Sequence, residues 1–292
     1  MIKIGVIGLS EGNGHPYSWS AIFNGYNRNK YCPFDVIPNY LNQQKFPEDF
    51  LSHLGKVTHI WTQDNQISKS VAEFSLIGNI VDNLHDMIGE VDAVLLARDD
   101  AENHYKMVLP FLKAGLPVFI DKPFAVSLKD ADLMLKNQSY SSQIFTTSSL
   151  RFADELLLNE DDLSTLGEIQ RVEAKVMKKW STYAIHLLEP IVVNLPNRGN
   201  LIEVKKIYDP NHHVVNVKWQ KVESNLTITG KAKVPLEFTY IGSIGKVKKT
   251  FTDAFTSFKS SLEAFIVQLK TNKISIDRNE TLELVNIIEQ GL

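Results

Sequence analysis

The chain lacks most of the features that would send it outside the cell, into a membrane or onto nucleic acid. One cysteine, Cys32, stands in 292 residues. No intrachain disulfide can form, so a reducing cytoplasm is the expected compartment. No apolar run approaches the roughly 18 residues that a membrane-spanning helix needs. Lys and Arg number 31 against 34 Asp and Glu, a net charge of −3. A chain-wide basic footprint for nucleic acid is therefore absent. The opening MIKIGVIGLS runs straight into a strand pattern, without the charged start and cleavage site of a signal peptide. Internal repeats and low-complexity stretches are missing too. What remains is 43% hydrophobic and 22% charged, the composition of a soluble folded chain. Its length suits two domains at about 150 residues each.

Periodicity divides the chain in half. Ile2 to Leu9 is a short apolar run ending in a Gly-rich turn, as a buried parallel strand should be. Tyr17 to Phe23 follows Pro16 and reads as a helix start. Apolar strands are then expected at 57–62, 91–97, 116–120 and 143–147. Helices are expected at 67–76, 84–88, 103–114 and 128–136. This alternation predicts a doubly wound parallel α/β domain. Residues 25–56 interrupt it without a clear period. Six aromatics, Tyr26, Tyr31, Phe34, Tyr40, Phe46 and Phe50, argue for an ordered flap beside the Gly-rich loop rather than a solvated linker. From Ile169 onward the pattern alternates, and 201–250 holds several more alternating runs. Helices are expected at 181–194, 254–269 and 281–288. The second half is thus an α+β domain with an open, mainly antiparallel sheet.

Several residues are placed to carry chemistry. The turn after the first strand holds Gly8, Ser10, Gly12, Asn13 and Gly14, where backbone amides can approach a pyrophosphate. The G-x-G-x-x-G spacing is not kept: Ser10 and Asn13 stand at its second and third glycines. A tight strand-to-helix turn without a ligand is the competing reading. Asp64 closes the next strand, where an acid can bind ribose hydroxyls or simply open a turn. Asp121-Lys122-Pro123 follows the strand LPVFI, which sets a lysine at the ligand-binding edge of a parallel sheet; from these three residues alone a surface lysine in a turn is the stronger reading. His15 touches cofactor or substrate, or caps its loop. Arg98 contacts a phosphate or pairs with Asp99 or Asp100. His212 and His213 have no further donors at metal-ligand spacing, and no metal site is expected.

The run DAVLLARDDAENHYKMVLPFLKAGLPVFIDKPFAVSLKDADLML resembles the core of the Gfo/Idh/MocA oxidoreductases, the glucose-fructose oxidoreductase and inositol dehydrogenase relatives. The matching pieces are Ala97, His104, Ala114-Gly115, Val118 and Asp121-Lys122-Pro123. Leu150-Arg151-Phe152, Leu166-Gly167-Glu168-Ile169 and Tyr183-Ala184-Ile185-His186 extend the resemblance over nearly all the chain outside 25–56. It implies a Rossmann domain over 1–123, with 124–150 and the C-terminal helix 279–292 packed on it. A domain over 151–278 would bind substrate and build a homodimer or homotetramer through its sheet. NAD or NADP is the implied cofactor. Gly8, Ser10, Gly12, Asn13, Gly14, Asp64, Ala97, Arg98, Asp121 and Lys122 would line its site. The resemblance makes Lys122 and His186 the catalytic pair and sets Thr182, Tyr183 and His15 toward the substrate. The family's Glu before the lysine is Asp121 here, and its Asp four residues before the histidine is Thr182. The activity implied is oxidation or reduction at a hydroxyl or keto group of a sugar, polyol or nucleotide sugar. A non-catalytic dinucleotide sensor, a partner protein and an NAD-dependent hydrolase of the same fold are the alternatives.

Overall fold

The structure is a computed structural model describing residues 1–292. Its contacts divide the chain into two compact units. The first comprises 1–125, 129–147 and 258–277; the second comprises 126–128, 148–257 and 278–292.

Six parallel strands form the sheet of the first unit: β1 (Ile2–Ile7), β2 (Gly55–Trp61), β3 (Asn79–Ile80), β4 (Ala93–Leu96), β5 (Val118–Ile120) and β6 (Ile144–Thr146). Their order is β3-β2-β1-β4-β5-β6, the doubly wound arrangement in which connections leave β1 toward both edges. The strands are apolar on both faces because helices cover both. The helices are α1 (His15–Asn24), α2 (Val36–Leu41), α3 (Asn65–Ser75), α4 (His104–Lys113) and α5 (Leu128–Lys136). The flap at 25–56 is ordered: α2 lies in it, and Cys32, Ile37, Leu41, Phe50 and Leu51 are buried. It packs against the start of α1. A Cβ on Gly14 would come 2.7 Å from Ile37 and 2.9 Å from Phe34. Tyr40 also hydrogen-bonds Ser18.

The second unit holds α6 (Glu160–Leu166), β7 (Ile169–Val176), α7 (Trp180–Asn194), β8 (Leu201–Ile207), β9 (His213–Trp219), β10 (Glu223–Ile228), β11 (Glu237–Gly242) and β12 (Lys246–Thr250). Its sheet order is β12-β11-β7-β10-β9-β8, antiparallel except for the β7–β10 pair. Alternation sends Val172, Ala174, Val176, Leu226, Phe238 and Tyr240 into a core beneath α7, while Glu173, Lys175 and Glu237 face outward. The closing helices α8 (Ala254–Thr271) and α9 (Arg278–Gly291) exchange the places expected for them. Most of α8 belongs to the first unit, where Phe265 stacks near Phe119 and Phe145 and Gln268 donates to the carbonyls of Ser142 and Ile144. Helix α9 belongs to the second unit. There Trp180 donates its indole N–H to Ile288 O, and Glu283 accepts from Arg198 and Trp219. Long-range apolar and polar partners decided this, and neighbouring sequence carries no sign of them. No helix is long and apolar enough to cross a membrane.

Candidate active site

In the first unit the predicted residues gather at the C-terminal ends of β1, β4 and β5. Asp121 follows β5 and is fully buried. Its Oδ1 accepts the Lys122 N–H at 2.7 Å. Its Oδ2 accepts Asn13 Nδ2 at 2.9 Å and faces His15 Nδ1 at 2.5 Å. The His15 ring lies between Trp19, stacked at 4.9 Å, and the edge of Phe258 at 5.0 Å. Lys122 Nζ meets Asp99 Oδ2 at 3.4 Å, with only 5% of the lysine side chain exposed. Asp99 Oδ1 accepts the Ser10 hydroxyl at 2.6 Å, and the Ser10 oxygen accepts the Asp99 N–H in return. Burial pushes the Asp99 carboxyl up, but Lys122, Ser10 and His15 outweigh it and hold the group below its ordinary range. Asp99 therefore stays ionised at neutral pH, opposite the lysine.

The loop from Gly8 to Gly14 is braced from below. Arg98 is buried, with Nε and Nη2 on Asp100 and Nη1 on Gln63 Oε1 and Leu9 O. Of the two readings of Arg98 the structure favours the carboxylate pair, with the arginine in the interior. Its donors are engaged within the chain, so it supports the loop and is not a free phosphate ligand. The Asp100 carboxyl is pushed up by burial but lowered on balance by Arg98 and Asn103. Ala97 is buried and donates its N–H to Ile7 O. The side chains of Ser10 and Asn13 are likewise committed to Asp99, Asp121 and the His15 N–H.

A dinucleotide still fits this loop, by a different donor set. At the start of α1 the His15 amide is taken by Asn13 Oδ1 and Pro16 has none, so the helix offers little to a phosphate. The backbone amides of Ser10, Glu11, Gly12 and Gly14 make no hydrogen bond to the chain. They surround Gly12, which has φ +74 and open space where a Cβ would stand. These amides would take the pyrophosphate. Asp64 caps α3, with Oδ1 accepting the Gln66 N–H at 2.8 Å, and is otherwise exposed at the end of β2.

The second unit holds another cluster. His186 is partly exposed on α7, with Tyr183 edge-on at 4.9 Å. Lys178 Nζ lies 4.5 Å from the Tyr183 ring centre. His186 Nδ1 sits 2.7 Å from Ser148 Oγ, which also accepts the Leu150 N–H. Behind Ser148, the buried Glu189 accepts from Arg151 at 2.6 Å, and Arg151 reaches Glu280 at 2.6 Å. Burial pushes the Glu189 carboxyl up despite Arg151, while the two glutamates together raise Arg151 against its own burial. Thr182 is in the first turn of α7, its N–H directed to Lys179 O. The hydroxyl beside His186 Nδ1 comes from Ser148. Sequence reading passed over Ser148, whose one local mark is its place as the cap before Leu150-Arg151-Phe152. It also passed over Asp99 and Gln63 as braces. Of the two adjacent histidines, His213 bonds Gly291 O and stacks on Trp180, and His212 faces Asp209.

No curated protein matches this chain. Solved structures share its fold at low identity. Myo-inositol 2-dehydrogenase from Lactobacillus plantarum is 16% identical, with a TM-score of 0.70 over 99% of this chain and 95% of its own. Biliverdin reductase from Synechocystis sp. PCC 6803, in complex with biliverdin and NADP+, is 13% identical, with a TM-score of 0.68 over 99% and 98%. GenD2 from gentamicin A biosynthesis, in complex with NAD, is 11% identical, with a TM-score of 0.72 over 99% and 92%. The profile described as "Oxidoreductase family, NAD-binding Rossmann fold" matches residues 2–147. With its six-stranded parallel sheet and mainly antiparallel second sheet, the chain belongs to the Gfo/Idh/MocA oxidoreductase family.

Proposed function

We propose that this NAD(P)-dependent oxidoreductase acts on a hydroxyl or keto group of a sugar, polyol or nucleotide sugar. The observation that carries the reading is Lys122, paired with Asp99 beside a loop with four unengaged amides. A nicotinamide bound there supplies a two-electron hydride acceptor or donor. Lys122 stabilises negative charge developing on the substrate oxygen. His186 holds the hydroxyl proton at Nε2 while its Nδ1–H donates to Ser148 Oγ. Thr182 and Tyr183 contact substrate. NAD is the preferred cofactor: the Asp64 carboxylate accepts ribose hydroxyls and repels a 2′-phosphate, and its neighbours Gln63, Asn65 and Gln66 carry no charge. The outward face of the second sheet, with Glu173, Lys175 and Glu237, joins the chain into a homo-oligomer.

The test has two parts. NADH and NADPH are titrated by tryptophan fluorescence, and NADH formation from NAD+ is followed with myo-inositol, scyllo-inositol, glucose and UDP-glucose. NADH should bind about tenfold tighter than NADPH, and at least one of these alcohols should turn over. Binding without turnover would favour a dinucleotide sensor. No binding of either cofactor at millimolar concentration would overturn the reading.

A further inference from the structure

The His15–Asp121 pair is not among the groups that the proposed mechanism uses. Asp121 is a fully buried carboxylate that gathers three donors on two oxygens: Asn13, the Lys122 amide and His15. Only 16% of the His15 side chain is exposed, against 1% for Asp121. The imidazole's accessible edge is thus the one away from the carboxylate, which carries Nε2. That nitrogen has no partner in the chain. The rings of Trp19 and Phe258 hold the imidazole in place. The other charges near it are Asp99 and Lys122, paired with each other. Trp19 and Phe258 bring none.

This pair lies at the end of β5, in the half of the sheet that serves the nicotinamide side of a doubly wound fold. The oxidised ring there is a cation and the reduced ring is neutral. When His15 is neutral, the pair carries one negative charge, the complement of the oxidised ring. When Nε2 takes a proton, the pair is neutral, the complement of the reduced ring. We propose that His15, held by Asp121, takes up the proton that compensates the loss of nicotinamide charge when the cofactor is reduced. This rests on the oxidoreductase reading above. The balance is simple. The carbinol C–H pair leaves with its hydrogen as hydride for the oxidised nicotinamide. The O–H proton is given up as the C=O bond forms, and one proton is taken up at His15 Nε2.

Linkage makes the idea measurable without a substrate. NAD+ and NADH share every phosphate and ribose contact, so the ratio of their affinities isolates the ring. In the intact protein, measured from about pH 8 to about pH 6, NADH should gain on NAD+ as pH falls, by at most about tenfold per unit, the limit for one linked proton. Calorimetry of wild-type protein in buffers of different ionisation enthalpy should show proton uptake with NADH that NAD+ does not produce. His15→Gln should bind both cofactors with a pH-independent ratio, and Asp121→Asn should flatten the ratio as well. The wild-type buffer comparison needs no variant, so a misfolded mutant leaves the answer intact. A pH-independent ratio in the wild type, or an undiminished dependence in folded His15→Gln, overturns the proposal while leaving the oxidoreductase reading in place. Failure of both cofactors to bind overturns both.

Discussion

Lys122 and Ser148 are the side chains whose removal separates chemistry from binding. Lys122→Met keeps the apolar stem but removes the charge opposite Asp99. Turnover should fall by about 10²-fold or more, the scale of a lost charge-stabilising group, with NADH affinity little changed. Ser148→Ala removes the hydroxyl on His186 Nδ1 and the cap on the Leu150 amide. We expect about 1 kcal/mol of lost stability from the cap. We also expect a roughly tenfold drop in kcat with KM held, since a positioning group acts through the base, and Ser148→Thr should recover most of it. Lys122 was legible through the ordered motifs around it, since Asp121-Lys122-Pro123 alone reads more simply as a surface lysine in a turn. Ser148 was not: its partner lies 38 residues away, and a serine in a turn has too many ordinary explanations. The same distance effect hid Asp99, whose bonds run 23 and 89 residues along the chain to Lys122 and Ser10.

At the level of elements, the flap at 25–56 fixes the shape of the loop before α1. Phe50 is buried within it, so Phe50→Ala should cost about 3–5 kcal/mol. Gly14→Val should be more selective, because a branched side chain there must displace both Ile37 and Phe34. NADH affinity should then fall further than the melting temperature suggests, which fluorescence titration beside thermal unfolding would reveal. Native protease should spare 25–56; rapid cutting there with binding unchanged would remove the flap from any role. The aromatics disclosed its order, though not α2, six residues long and without a readable period. Helix α5 matches its expected limits, 128–136, because a sharp change of pattern bounds it. Strand β11 lies within the alternating stretch 201–250, with Phe238 and Tyr240 inward. The parallel β7–β10 pairing had no local mark, since register between distant strands is set by the core they share.

For the whole molecule, the depressed carboxyls of Asp99 and Asp100 tie stability to pH. Their contribution is fully present above the ordinary Asp value of about 3.9. It disappears as pH falls through their lower folded values. Urea unfolding followed from pH 7 downward should lose stability over that acid range, and Asp99→Asn should make the loss shallower. The discontinuity of both units has a consequence in time rather than in space. The first unit needs 258–277 and the second needs 278–292. During synthesis, the parallel sheet is complete at residue 147 but waits for Phe265 and Gln268 while 110 further residues, 148–257, are made. At about 5–20 residues per second that interval is roughly 6–22 s. A nascent chain halted before residue 258 should expose Phe119 and Phe145 to chaperones, and one released at full length should bury them.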